Sequence, residues 1–155
     1  MSRRVVVTGL GAITPIGKNV SETWANALAG KSGVVKINQP WSNDLAAQIA
    51  GLITIDPYDV LDRVSARRMD RSTQLGVIAV KEAWADAGSP DIDKERLGVY
   101  FGTGIGGLTT VLEQYDILNT RGPDRVNPLT VPMIMPNSAA AVSYTHLTLP
   151  TKRIV

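Results

Sequence analysis

The sequence predicts an α/β fold built on a largely parallel sheet. Three observations carry that expectation. Two short β-branched or apolar runs, residues 4–8 and 97–101, each close on glycines. Apolar residues recur at helical spacing between and after those runs. Strand and helix patterns therefore alternate along the chain, which is the pattern of layered α/β architecture.

Residues 4–8 read as a buried strand ending in the turn Gly9-Leu10-Gly11, and Pro15 and Gly17 prolong the loop. A helix is expected from Asn19, with Glu22 three residues on as in a capping box. Trp24, Ala27 and Leu28 share one face of it, and Gly30 stands where a helix stops. Residues 31–45 look irregular around Pro40 and Trp41, and residues 46–55 suit a strand broken near Gly51. Asp56-Pro57 opens a turn, with a short helix through Leu61. The longest periodic segment is residues 65–87, stopped by Gly88 and Pro90. Met69, Thr73, Val77, Val80 and Trp84 lie on its stripe, which predicts a helix of about 35 Å. Residues 97–101 form the second strand, followed by a glycine loop over 102–107 and a helix over 108–118. A polar loop with Gly122-Pro123 follows, then Pro132 and Pro136, and Asn137 or Ser138 caps a helix into residues 139–141.

The composition bounds what such a fold does. The chain of 155 residues suits one domain, and 44% apolar with 19% charged residues is the mark of a soluble globular protein. The net charge of +2, with Lys and Arg scattered, gives no argument for a nucleic-acid partner. No apolar run reaches the roughly 20 residues of a membrane span. The start has neither an apolar core nor a cleavage site, so no signal peptide and no membrane partner are expected, and the location read is cytoplasmic. The absence of cysteine excludes disulfides, thiolate metal sites and a thiol nucleophile within these residues, and His146 is the single histidine.

Four stretches invite a functional reading. The turns at Gly9-Leu10-Gly11 and at residues 102–107 could cradle a phosphate on backbone amides. The first lacks a third glycine at dinucleotide spacing, and the second lacks the Lys-Ser or Lys-Thr of a phosphate-binding loop. Their other reading is backbone that turns tightly or passes close to a ligand. Arg67-Arg68-Met69-Asp70-Arg71 is either a solvated charged turn on the long helix or a docking patch for an acidic partner. Residues 131–136, rich in Met and Pro, pack in a core, line a pocket for a flexible apolar ligand or form a subunit interface.

In order along the chain, these segments resemble the β-ketoacyl-[acyl carrier protein] synthases, the condensing enzymes of fatty-acid synthesis. The resemblance rests on residues 4–17, the helix and exit over 24–33, Arg67-Arg68-Met69-Asp70, the loop over 101–107, and the stretch from Asn127-Pro128 to Pro136-Asn137. The elongating type II 3-oxoacyl synthases are the nearest type. The resemblance implies a thiolase-like fold, layered α/β/α with a mixed, mostly parallel sheet, of which this chain is the incomplete amino-terminal part. It implies an acyltransferase that joins an acyl thioester to malonyl-carrier protein with loss of carbon dioxide. The expected partners are acyl carrier protein, bearing phosphopantetheine-linked acyl and malonyl groups, and a second copy in a homodimer. No metal or dissociable cofactor is implied. The family's cysteine and its histidines have no counterpart here, so no catalytic residue carries over and the chain is expected to be inactive. Ile105, Gly106, Leu129, Met133 and Ile134 match the wall of the acyl channel, and Arg63, Arg67 and Arg68 match a carrier-protein surface.

The resemblance ends near Ala141. From Val142 the chain reads Ser143, Tyr144, Thr145, His146 and Leu147 in succession, which resembles one translated frame of a transposon-end sequencing adapter. Residues 1–141 are accordingly expected to be a truncated synthase domain and 142–155 a non-native tail, with a genuine β-strand tail as the other reading. A non-catalytic chain-length partner of polyketide synthesis and a nucleotide-binding α/β protein are the competing functions.

Overall fold

A computed structural model of the chain describes residues 4–148. It divides into two compact units, Met1–Asp56 with Lys81–Ser89, and Pro57–Val80 with Pro90–Val155. The tail expected over 142–155 lies partly outside the described residues.

In the first unit, α1 spans Val20–Leu28. Asn19 caps it as expected, its side-chain oxygen accepting the Glu22 amide at 2.7 Å. Glu22 returns a bond, but to the amide of Lys18, one residue before the cap. Gly30 takes the left-handed conformation at φ +67° and ends the helix. Strand β1, Val34–Lys36, lies inside the stretch expected to be irregular. It pairs antiparallel with β2, Ile49–Gly51, with Val35 opposite Ala50. This ladder is the only sheet among the described residues.

Residues 4–8 do not become a buried strand. They join no ladder, and Val5 is 96% exposed. Residues 97–101 behave alike, with Tyr100 at 97%. The physical reason is common to both. A strand satisfies its amides and carbonyls on neighbouring strands, and the described residues offer these runs none. The loop after residues 4–8 is instead tied to acidic side chains. Asp86 accepts the amide of Leu10 at 2.9 Å, and Glu82 accepts those of Ala12 at 3.0 Å and Val20 at 2.8 Å.

In the second unit, a 3-10 turn over Pro57–Asp59 leads to α2, Arg63–Ala66, which Asp62 caps by accepting the Ser65 amide. The long helix expected over 65–87 is broken. Its main body is α3, Arg71–Asp86, of which residues 71–80 belong to this unit and 81–86 to the first. The break spans residues 67–70, and at its end the Asp70 side chain bonds the start of α3. Next come α4, Leu108–Arg121, α5, Thr130–Ile134, and α6, Ser138–Thr148. Pro132 is tolerated in α5 because it is the third helical residue, whose amide has no partner within the helix. Residues 142–148 continue α6 as helix, not strand.

The buried apolar residues, Leu61, Ala66, Met69, Val77, Ile78 and Ala139, all belong to the second unit. In the first unit, Trp24 and Leu28, the expected apolar face of α1, are 65% and 71% exposed.

Candidate functional site

The second unit centres on a carboxylate. Asp70 is buried, and four donors surround it. Its Oδ1 accepts the Ser72 amide and the Ser72 hydroxyl, both at 2.8 Å. Its Oδ2 accepts the Thr110 hydroxyl at 2.7 Å and the Thr110 amide at 3.2 Å. Burial pushes the Asp70 carboxyl up, but the bonds from Thr110 and Ser72 outweigh it and hold the group below the usual carboxylate range. Ser72 sits in the first turn of α3 and Thr110 in the first turn of α4, so one side chain caps two helices. The sequence predicts a charged turn, solvated or docking, on one continuous helix; Asp70 is instead buried at a break between two helices. The surrounding arginines masked an ordinary capping signal, an Asp two residues before Ser72 at a helix start.

The glycine loop leads into α4. Gly106 adopts φ +82°, and a Cβ there would meet the Ile134 carbonyl at 2.5 Å. The Gly107 amide donates to the same carbonyl at 3.3 Å. A Cβ on Gly107 would stand 2.6 Å from the Met133 carbonyl and 3.0 Å from Asp70. The loop thus seats backbone on backbone against the end of α5. Of the residues expected to line an acyl channel, Gly106, Met133 and Ile134 meet here. Ile105 points outward at 65% exposure, and Leu129 is exposed at the start of α5. Behind the loop is a cleft of about 20 Å³, bounded by Phe101, Thr103, Met135 and Ala139. That holds roughly one water molecule, not an acyl chain. Within this unit Gly106, Met133 and Ile134 come together, whereas Ile105 and Leu129 are exposed. Phe101 and Asp70 belong to the arrangement and were not singled out as site residues from sequence.

The remaining expectations map simply. Arg63, Arg67 and Arg68 are exposed on α2 and the turn leaving it. The amides of Leu10 and Ala12 at the first glycine turn are taken by carboxylates, and those of Gly106 and Gly107 by Thr103 and Ile134. Amides so committed do not favour the phosphate-cradle reading of either turn. His146 is exposed on α6. Among the described residues no three His, Asp or Glu side chains gather to hold a metal, and no helix is long and apolar enough to cross a membrane. Ser143 is 1% exposed and its hydroxyl has no hydrogen-bond partner.

Comparison with known proteins accords with this geometry. The family model described as the β-ketoacyl synthase N-terminal domain matches residues 2–149. The 3-oxoacyl-[acyl-carrier-protein] synthase 2 of Staphylococcus aureus (strain COL) is 42% identical over 142 residues, covering 89% of this chain and 34% of that protein. The synthase 2 of a Synechocystis species is 38% identical over 148 residues, covering 94% and 36%. Among solved structures, the ishigamide ketosynthase/chain length factor is similar with a TM-score of 0.76 at 27% identity, over 96% of this chain and 38% of that one. A ketosynthase bound to its type II polyketide acyl-carrier protein and a hexaketide has a TM-score of 0.72 at 22% identity, over 92% and 38%, a likeness of fold. The chain spans about a third of the length of the curated relatives it matches.

Proposed function

The chain belongs to the β-ketoacyl synthase family through that family's N-terminal domain, and from this premise we propose that it supplies one wall of an acyl-binding site in a 3-oxoacyl-[acyl carrier protein] synthase of fatty-acid biosynthesis. The observation that carries the proposal is the glycine turn at Gly106 and Gly107 seated on the Ile134 carbonyl, with Ile105 left outward. Such a turn presents backbone and one apolar side chain to a ligand without side-chain bulk between them. Met133 beside it is a flexible apolar surface suited to a hydrocarbon chain.

The reaction proposed for the whole enzyme is transfer of an acyl group to a thiolate, then decarboxylation of malonyl-carrier protein and attack of the resulting carbanion on the acyl thioester. The chain holds no cysteine and a single histidine, so it provides neither the nucleophile nor a histidine pair. By itself it is therefore proposed to be inactive. Arg63, Arg67 and Arg68 are proposed to face acyl carrier protein, supported by their exposure and charge and by the carrier-bound ketosynthase among the structural neighbours. A homodimer and a cytoplasmic location complete the proposal. The test is a condensation assay with acyl- and malonyl-carrier protein. The purified chain is expected to give no ketoacyl product, and any product above blank overturns its inactivity. Charge reversal at the three arginines, with acyl-carrier protein titrated against the chain, is expected to weaken binding. Unchanged binding removes the docking surface.

A second reading, a non-catalytic chain-length partner, is favoured by the ishigamide ketosynthase/chain length factor among the neighbours. The residue at the nucleophile position of the parent gene decides, because such a partner carries something other than cysteine. Residues 142–155 are proposed to be a non-native tail; the family model itself runs on through residue 149. The unpartnered hydroxyl of Ser143 supports that, since a sequence selected for this packing seldom buries one. An uninterrupted genomic locus encoding these residues would refute it.

A further inference from the structure

Asp70 is spent unusually for a capping aspartate. A lone N-cap directs its side chain at its own helix and stays in contact with water. Asp70 instead divides its two oxygens between two helix starts, Oδ1 to Ser72 of α3 and Oδ2 to Thr110 of α4, and is 4% exposed. A carboxylate buried this far is costly unless its donors are fixed. The bonding continues from Val111, the next residue after Thr110 in α4. Gly107 caps α4 three residues before Thr110, and its carbonyl accepts the Val111 amide at 3.1 Å. The Gly107 amide in turn donates to Ile134, and Gly106 packs on the same carbonyl. A continuous path therefore runs from the start of α3, through Asp70 and Thr110, to the glycine turn and the end of α5.

We infer that Asp70 is a positioning residue, whose carboxylate holds the glycine turn in register against Ile134 and thereby sets the depth of the wall offered to an acyl chain. The inference rests on the acyl-wall reading of that turn. Asp70 touches no ligand itself and acts through Thr110. A chain long enough to reach the α5 side of the wall senses its register, whereas a short chain ends before it.

The test uses the full chain and two substitutions at Thr110, one removing the hydroxyl at constant shape and one keeping it. Hydrogen exchange of the Gly107 and Thr110 amides reports the turn. Binding of fluorescent saturated fatty acids, one short and one long, reports the wall. Thr110→Val is expected to speed exchange at Gly107 by about tenfold or more, the loss of a hydrogen bond to a charged group. It is expected to weaken the long probe about fivefold or more while moving the short one less, since half to one such bond is redistributed into the wall. Thr110→Ser is expected to restore both. Exchange at Gly107 unchanged in Thr110→Val overturns the inference, as does failure of Thr110→Ser to rescue. An equal weakening of both probes alongside a lowered melting temperature also overturns it, because that is general destabilisation. If the wild-type chain binds neither probe while Gly107 still responds to Thr110→Val and recovers in Thr110→Ser, the anchoring stands and the acyl-wall reading falls.

Discussion

Replacing Asp70 by asparagine keeps size and shape but removes charge and one acceptor. The amide oxygen of the variant can still accept from Ser72. Its amide nitrogen then faces the hydroxyl and amide of Thr110, both donors toward Oδ2 in the native arrangement. Two buried donors lose their acceptor, and each costs about 1–3 kcal/mol. Thr110 can turn its hydroxyl to accept instead, which recovers part of that. The expected loss is about 3–4 kcal/mol, a large share of the roughly 5–15 kcal/mol that holds a typical domain together. The pH dependence follows from the lowered carboxyl. The unfolded carboxyl takes up its proton before the folded one, so the contribution is complete above a pH of about 4 and is lost as pH falls through the folded value. The gap between wild type and Asp70→Asn in urea unfolding should thus be full at neutral pH and should narrow in acid. A loss under about 0.5 kcal/mol would show that the four bonds carry no net stabilisation, and a gap that does not change with pH would show that the stabilisation does not come from the ionised carboxylate.

Three further outcomes are expected. Ser143→Ala removes a buried hydroxyl without a partner and should stabilise the chain by about 1 kcal/mol in thermal unfolding, so a destabilised variant refutes the packing described for α6. Glu82→Gln weakens an acceptor shared by the Ala12 and Val20 amides and should cost about 1–2 kcal/mol, with proteolysis appearing first near residues 10–20. The exposed apolar side chains, Trp24, Leu28, Tyr100 and Val131 among them, should make the isolated chain bind a hydrophobic dye and self-associate, and a monodisperse, non-binding monomer would contradict this.

Local signals are legible where one short segment contains the whole interaction. Asn19, Glu22 and Gly30 bound α1 because capping involves residues a few positions apart. Of the strand expected over 46–55 only Ile49–Gly51 forms, and its partner β1 lies in a stretch that reads as irregular, because a three-residue strand carries too little pattern to stand out from a loop. The apolar stripe over 65–87 continued across Asp70, so periodicity joined two helices that a side-chain cap separates. The runs over 4–8 and 97–101 have strand composition, but a strand also needs a neighbour, and composition says nothing of whether one is present.

The sequence by itself determined the family, since five motifs stand in order along the chain, and it determined that no thiol nucleophile lies within these residues. It also marked the glycine loop as a tight turn or a close approach to a ligand, and the Met- and Pro-rich stretch as core, apolar pocket or interface. Only the tertiary structure decided that these two places meet each other, Gly106 and Gly107 against Ile134, and that Asp70 accepts from Thr110 beside them. Asp70 and Thr110 are 40 positions apart. A hydrogen bond forms at a distance of a few ångströms, and separation along a chain leaves that distance unspecified until the fold closes it.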